Sequence, residues 1–298
     1  MKKLLFALLA VTITFYSCDD DEEDNTGSLT LDISGLGNLG DDYLYEGWVI
    51  VDGAPVSTGT FSVDDDGKLS ATSFEMDAVM LDAATTFVLS IEPIPDSDPA
   101  PSATKILGGD FSGASASATI MHGAAFGTGF SSVTGGYILA TPTSTDDTDE
   151  ESGVWFLDNS SGSPAMGLTN LPDLSGQAGW TYEGWAVIGG TPVSTGTFDT
   201  AEGADDNATT SSFKGDDGDG PGFPGEDFIQ NAPAGMTFPT DLKGATIVVS
   251  IEPVPDNSTA PFSLKPLAGD VPAALENHTF QSMNNIASST YPSGTASR

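Results

Sequence analysis

Positive charge is scarce in this 298-residue chain, which has 8 Lys+Arg against 43 Asp+Glu and a formal net charge of −35. Binding to DNA or RNA needs clustered lysines and arginines that contact phosphates, so this composition excludes a nucleic-acid partner. Electrostatic attachment to an anionic lipid surface is excluded for the same reason. Arg298 is the only arginine, so the chain has no set of arginine clamps for phosphate or carboxylate groups.

Residues that carry common catalytic chemistry are also few. Cys18 is the only cysteine, which excludes structural disulfides and a thiol nucleophile in the rest of the chain. The two histidines, His122 and His278, lie in segments rich in small and polar residues, which favours solvated loop positions over a zinc site. No phosphate-binding glycine loop and no nucleophile-elbow pattern stand out. We therefore expect a protein without enzymatic activity.

The N-terminal segment has the pattern of an export signal. Lys2 and Lys3 precede an apolar run from Leu4 to Tyr16, which is shorter than the roughly 20 residues that a spanning helix needs. Cys18 ends this run, and its position resembles a bacterial lipoprotein signal in which the cysteine is acylated and becomes the mature N-terminus. Phe15 stands where a typical lipobox has leucine. A cleaved soluble signal and an uncleaved anchor with a chance cysteine remain as alternatives.

An acidic tract, residues 19–24, follows Cys18 directly. Such a charge run is typical of a solvated tether. Behind an acylated cysteine it also resembles a signal for export to the cell surface, whereas in other lineages an aspartate at this position retains a lipoprotein at the inner membrane. We expect attachment to the outer membrane through the lipid, with surface exposure open, and an envelope protein or a glycan as the partner.

Two pairs of segments repeat along the chain. Residues 45–61 and 182–198 are identical at 12 of 17 positions, and residues 88–101 and 248–261 are identical at 9 of 14. Self-similarity of this extent indicates two copies of one domain. The spacing between the paired segments grows by 23 residues in the second copy, which places an insertion between Phe198 and Val248. The insertion is rich in Asp and Gly, and we expect a surface loop there.

The local patterns predict strands in both copies. Short apolar runs such as 48–51 and 87–91 alternate with turn signals, including Asp52-Gly53 and Gly189-Gly190. Segments 137–141 and 154–157 predict a further strand pair around an acidic turn, and no stretch shows helical periodicity. The sequence therefore predicts an all-β protein with two tandem antiparallel sandwich-like domains. The predicted divisions are a signal at 1–17, the acylated cysteine and tether at 18–28, and domains at 29–143 and 153–298, with the boundary between domains placed somewhere from 111 to 165.

The order of these motifs resembles the extracytoplasmic domain of anti-sigma-K factor-like proteins. That family has an aromatic-Trp strand, a Gly-Pro-Val-Ser strand and a Glu-Pro segment followed by Pro and Gly. The resemblance covers roughly 29–110 and 168–270. The matching residues in the first copy are Trp48, Pro55, Ser57, Gly59, Phe61, Glu92, Pro93 and Gly109. Those in the second are Trp185, Pro192, Ser194, Gly196, Phe198, Glu252, Pro253 and Gly269.

The resemblance implies a regulatory or ligand-sensing outer module. An anti-sigma factor of that type also has a cytoplasmic sigma-binding domain and a transmembrane helix. Only three residues precede the apolar run here, so we expect no direct inhibition of a sigma factor. A surface adhesion or structural lipoprotein and a glycan-binding protein are the alternative functions.

Two kinds of recurring residue, glutamate and tryptophan, are candidates for a site. The recurring Glu46/Glu183 and Glu92/Glu252 pairs could perform acid–base chemistry on a glycan, but solvent-facing or strand-end positions are the favoured interpretation. The repeated Trp48 and Trp185 could form a sugar-stacking platform, although a core position is favoured.

Calcium was considered for two acidic turns, because it takes six to eight oxygen ligands. Neither Asp64-Asp65-Asp66-Gly67 nor the segment 216–220 has EF-hand spacing, so solvated turns are the default. Asp216, Asp217 and Asp219 remain weak calcium candidates, and no other cofactor is expected.

Overall fold

The computed structural model describes residues 25–256 and 258–298, and Cys18, the predicted signal and the acidic tract lie outside these ranges. Strands dominate the described residues, which confirms the predicted all-β class. The helices are α1 (Ala78–Ala83) and α2 (Ala287–Thr290). Across the described ranges, no helix has the length and apolar composition that crossing a membrane requires.

The strands of the first half of the chain follow each other closely. They are β1 (Thr26–Ser34), β2 (Tyr43–Val51), β3 (Ala54–Phe61), β4 (Ser73–Asp77), β5 (Thr86–Pro93), β6 (Lys105–Ser112), β7 (Ser115–Thr119) and β8 (Thr134–Leu139). The strands of the second half are β9 (Gly153–Trp155), β10 (Leu157–Asp158), β11 (Ala165–Met166), β12 (Leu168–Thr169), β13 (Trp180–Ile188), β14 (Thr191–Phe198), β15 (Gly225–Asp227), β16 (Thr246–Pro253), β17 (Leu267–Asp270), β18 (Gln281–Ser282), β19 (Asn284–Asn285) and β20 (Ser293–Ser297).

The two repeats form strands with the same order and pairing. Sheet order is β3-β2-β5-β6 in the first repeat and β14-β13-β16-β17 in the second, and all these neighbours are antiparallel. Both central strands carry an irregularity after the repeated glycine, between Gly47 and Trp48 and between Gly184 and Trp185. A Cβ on Gly47 would lie 2.4 Å from the Thr58 hydroxyl oxygen, so only glycine fits this close strand contact.

The predicted turns and the single strand pair are confirmed. Asp52 and Gly53 have φ angles of 51° and 80°, as do Gly189 and Gly190 at 59° and 90°. Positive φ at both central residues gives the two-residue hairpin whose twist matches the flanking strands. The predicted pair around the acidic turn is β8 with β9, in which Leu139 lies opposite Val154.

The first repeat belongs to an eight-stranded sheet with the order β3-β2-β5-β6-β7-β20-β1-β4. Strand β1 has the alternating pattern of a strand with one buried face. Leu29, Leu31 and Ile33 are buried, and the residues between them are exposed. Strand β20, from the far end of the chain, pairs with β1 on one side and β7 on the other. Residues 293–297 therefore complete the sheet of the first repeat. The predicted domain boundaries remain a prediction.

A single large apolar cluster joins the two repeats. It includes the stacked rings of Tyr45 and Phe61, whose centroids lie 5.5 Å apart, and those of Tyr182 and Phe198, 5.6 Å apart. Residues of β8 and β9 belong to the same cluster, and Trp155 belongs to a smaller one.

The insertion of the second repeat is not a simple surface loop, and that prediction was wrong in part. Residues 216–220 are exposed as expected. Strand β15, however, pairs with β9, and Phe228 and Leu242 are fully buried. The apolar side chains of the insertion pack into the core, so its acidic residues are divided between the surface and the interior.

Candidate functional site: a cleft between the two repeats

The repeated tryptophans are core residues. Trp48 and Trp185 are each 2% exposed, and each indole nitrogen donates a hydrogen bond of 2.8 Å to a serine hydroxyl, Ser90 or Ser250. The favoured core interpretation is confirmed. The stacking platform considered for glycans needs an exposed ring, so the hypothesis that these tryptophans form one is wrong.

The four recurring glutamates are buried as well, which corrects the expectation that Glu46 faces solvent. The Ser57 hydroxyl donates to Glu46, and the Ser194 hydroxyl donates to Glu183 at the matching position. Burial raises the pKa of Glu46, and it raises the pKa of Glu183 to about 7. The energetic cost of burying these carboxyl groups is offset by the serine donors on the neighbouring strand.

The second pair of glutamates supports the loops that follow β5 and β16. Glu92 accepts hydrogen bonds from the Ser90 hydroxyl and, at 2.9 Å, from the backbone N–H of Ser102. Glu252 accepts from the Ser250 hydroxyl and, at 2.8 Å, from the backbone N–H of Phe262. Each carboxyl group thus fixes one loop against the end of its strand.

Residues of these two loops line one cleft of about 850 Å³. Its walls come from residues 37–43 before β2, from the end of β5 with residues 102–104, and from the end of β16 with the segment that leads to Lys265. Much of the lining is apolar, including Leu39, Tyr43 and Phe262. A volume of this size matches sites for small organic ligands or short peptide segments.

The two loops differ at the lysine that follows each of them. The Lys105 ammonium donates to the Ser102 carbonyl oxygen at 2.6 Å, which ties it to its own loop. At the matching position Lys265 lines the cleft, and its ammonium has no hydrogen-bond or salt-bridge partner among the described residues. Burial lowers the pKa of Lys265, and the negative charge of Glu252 opposes that shift. Among the described residues, the ammonium of Lys265 therefore has no hydrogen-bond acceptor, and Glu252 is a carboxyl group whose charge affects it.

A second polar network lies in the inserted region. Asp227 is fully buried and accepts hydrogen bonds from the Trp155 indole at 2.7 Å and the Thr143 backbone N–H at 2.8 Å. Beside it, Glu226 accepts from the Ser211 hydroxyl. Burial raises the pKa of Glu226 to about 7 and that of Asp227 to about 6. These contacts join the insertion to β9 and to the acidic turn before it.

The side chains of the weak calcium candidates take no part in these contacts, although the Asp217 backbone N–H donates to the Thr143 carbonyl oxygen at 2.9 Å. Asp216, Asp217 and Asp219 are exposed, and Asp219 forms an ion pair with Lys214. In the described ranges, no group of three or more His, Cys, Asp or Glu side chains is placed to hold a metal ion.

The histidines lie at separate positions, with His122 partly buried and His278 exposed, each beside one carboxylate. The His122 ring nitrogen Nε2 lies 3.3 Å from Asp110, and the same atom of His278 lies 3.0 Å from Glu150. They do not come together, in agreement with their interpretation as loop residues.

Comparison with known families adds one finding. The family model "Anti-sigma-K factor rskA, C-terminal" matches residues 21–106. The match spans the first repeat from before β1 to the start of β6, including Trp48, Glu92 and one wall of the cleft. No curated protein and no solved structure matches this chain significantly.

Lys265 and Ser263 line the cleft, and neither was predicted as a site residue from the sequence. The signal that could have found Ser263 is a difference between the copies, since Ala103 occupies the matching position. Nothing in the sequence shows that the two loops face each other, because they are separated by more than a hundred residues.

Proposed function

We propose that this protein is a lipid-anchored regulatory module of the cell envelope, which binds a ligand or partner in the cleft between its two repeats. The observation that carries the proposal is the cleft itself, because the same loop of both repeats lines it. The match of the first repeat to the outer domain of an anti-sigma-K factor supports a regulatory role.

The second repeat is proposed as a further copy of that module. The family model reaches only residue 106, so support comes from the shared geometry. Both repeats have the same strand order, the same irregularity before the tryptophan and the same tryptophan–serine–glutamate contacts. Two copies that face each other would give one binding site with two related walls.

Binding without catalysis is the activity proposed for the cleft. The support lies in the recurring carboxyl groups, which accept hydrogen bonds from serine hydroxyls and loop N–H groups. Those contacts position the walls of the cleft. Rigid walls with a largely apolar lining suit recognition of a ligand that remains unchanged.

Anchoring through acylated Cys18 at the outer membrane is part of the proposal. Two or three acyl chains hold a protein stably on a membrane, since each buried CH₂ contributes about 0.8 kcal/mol. Protease treatment of intact cells, with mass spectrometry of the N-terminal peptide, tests this. An acylated Cys18 peptide supports the anchor, and cleavage of the exposed loops in intact cells shows that the protein faces outward. An intact initiator methionine on a freely soluble protein contradicts the anchor.

A complementation experiment tests the regulatory role. Deletion of the gene is expected to change the transcription of a defined set of genes, and the wild-type gene is expected to restore it. Ala103→Trp fills the cleft from one wall, and it should fail to restore the response while the protein level stays normal. Ala114→Trp, in the exposed turn after β6, is the matched control and should restore it. Full restoration by the cleft-filling variant would contradict the proposal.

A further inference from the structure

We propose that the cleft binds a short apolar peptide in its zwitterionic form, with the peptide's carboxylate held by Lys265 and Ser263. The inference rests on the proposed function of the cleft as a binding site and names the chemistry of its ligand. It depends on two donors in one wall that have no hydrogen-bond partner within residues 25–256 and 258–298, on the apolar lining and on the distribution of charge around the cleft.

The first donor is the Lys265 ammonium. It lines the cleft without a hydrogen-bond partner among the described residues, whereas the Lys105 ammonium is held by the Ser102 carbonyl oxygen. The chain has only eight basic residues, and Lys265 is the one cation among the residues that line this cleft. A half-buried ammonium without an acceptor is costly, and an anionic ligand group would remove that cost.

The second donor is the Ser263 hydroxyl, two residues before Lys265. Its oxygen is buried and has no hydrogen-bond partner in the described part of the chain, and the residue lines the same cleft. The first repeat has Ala103 at this position, so the hydroxyl is not needed for the shared fold. Rotation of the Ser263 side chain to another rotamer would present this hydroxyl to the cleft, where it and the ammonium match the two oxygens of a carboxylate.

The rest of the lining fits an apolar body. Phe262, Tyr43 and Val254 contribute aromatic and aliphatic surface, and the side chain of Val254 is half exposed. An exposed aliphatic side chain beside an open cleft gains free energy when a ligand covers it. The volume of about 850 Å³ leaves room for a molecule larger than one amino acid.

Charge favours a zwitterion over a simple acid. The chain's net charge of −35 opposes the approach of an anion. Asp41 also lines the cleft and is exposed, and its carboxylate provides a negative environment for an ammonium group. An apolar peptide with free termini has no net charge. Its carboxylate suits the positive charge of Lys265, and its ammonium group suits the negative environment.

Calorimetric titration of the full chain in lipid nanodiscs with the tripeptide Ala-Phe-Ala tests the inference. We expect saturable binding, and we expect the C-terminal amide of the tripeptide to bind at least about tenfold more weakly because it loses the charged contact. Lys265→Met should weaken binding of the free acid by a similar factor, and Ser263→Ala should weaken it by about threefold. N-acetylation of the peptide should also weaken binding, since it removes the ammonium group.

Lys243→Met is the matched control, because it removes a lysine that lies outside this cleft and whose ammonium already pairs with Glu151. It should bind Ala-Phe-Ala like the wild type. Lys265→Arg keeps a cation and should retain part of the affinity, which separates loss of charge from a disturbed fold. Thermal unfolding of each variant checks that the fold is intact.

Three outcomes overturn the inference: no binding of Ala-Phe-Ala up to about 1 mM, equal affinity for the acid and its amide, or unchanged binding by Lys265→Met. None of these outcomes decides the proposed function, which is judged by the complementation with Ala103→Trp. If Ala-Phe-Ala does not bind but Ala103→Trp fails to restore regulation, the cleft binds a ligand of another chemistry.

Discussion

The two repeats share a four-stranded unit but are completed by different parts of the chain. The first unit extends through β7, β20, β1 and β4 into the eight-stranded sheet, whereas the second extends only to β19. The repeated residues therefore determine the central strands and their bulge. The strands that flank each unit decide how its edge is covered and how many strands the sheet has.

The interiors of the repeats differ at one matching glycine. Beside Gly59 the space is occupied by the ring of Phe74, whereas beside Gly196 it is occupied by the side chains of Asp205 and Asn207. The second repeat thus has a polar filling where the first has an aromatic one. Near this polar filling lies the buried network of Glu226 and Asp227, so the two halves are expected to respond differently to pH.

The largest effect is expected from removal of residues 293–298. Strand β20 lies inside the eight-stranded sheet, and Arg298 donates hydrogen bonds to the carbonyl oxygens of Leu81, Ala84 and Gly113. Its loss should cost several kcal/mol, a large part of the roughly 5–15 kcal/mol that stabilises a typical domain. Limited proteolysis should then cut the first repeat much earlier than the second.

A milder version of this change is Arg298→Ala, which keeps the strand and removes the side-chain contacts. It should lie between the wild type and the truncation in thermal stability. Equal protease resistance of both repeats in the truncated protein would contradict the view that only the first sheet depends on β20.

The second prediction concerns pH. Burial raises the pKa of Glu252 from 4.5 to about 7, so the folded protein holds a proton that the unfolded chain releases between these values. The free energy of unfolding should therefore fall as pH rises through this window. At about 1.4 kcal/mol per pKa unit, the contribution of Glu252 reaches up to about 3 kcal/mol. Urea unfolding at pH 5 and pH 8 measures the difference.

Glu252→Gln removes this titration while the amide oxygen can still accept from Ser250 and Phe262. The variant should lose less stability than the wild type between pH 5 and pH 8. Glu226→Gln is expected to act in the same direction, because burial raises its pKa to about 7 as well. A pH dependence that neither variant reduces would show that the titrating groups lie elsewhere.

The third prediction compares the two glycines. Gly59 and Gly196 have φ angles of 121° and 112°, so alanine is strained at both by about 1–3 kcal/mol. At Gly196 the new Cβ would also lie 2.1 Å from the Asn207 side-chain oxygen, against 3.0 Å from the Phe74 ring at Gly59. Gly196→Ala should therefore destabilise more than Gly59→Ala, as measured by urea midpoints at constant slope. The reverse order would mean that the polar filling yields more easily than the aromatic one.

The smallest effect is expected for Asp219→Asn in the inserted loop. Asp219 is exposed and its partner is Lys214, and such surface ion pairs contribute under about 1 kcal/mol. Thermal unfolding should be close to that of the wild type and should become indistinguishable at high salt. A large loss of stability would indicate that the exposed part of the insertion is also needed by the second repeat.

Local sequence patterns predicted much of the fold correctly. The hairpin at Asp52-Gly53 follows from the need for positive φ at both positions, and the strand pair β8 and β9 follows from apolar runs around an acidic turn. The burial of Glu46 was missed, because its serine partner comes from the neighbouring strand and a carboxylate beside a tryptophan gives no sign of that contact. The buried part of the insertion was missed since its Asp and Gly content resembles that of a loop.

The amino-acid sequence by itself determined the strand-forming segments, their turns and the likeness of the two repeats. These features depend on neighbouring residues, through backbone φ preferences and the alternation of apolar side chains along a strand. Only the tertiary structure decided that β20 completes the first sheet and that Lys265 lines a cleft with no hydrogen-bond acceptor for it among the described residues. Such features arise from contacts between residues far apart in the chain, which burial of apolar surface brings together without a local signal.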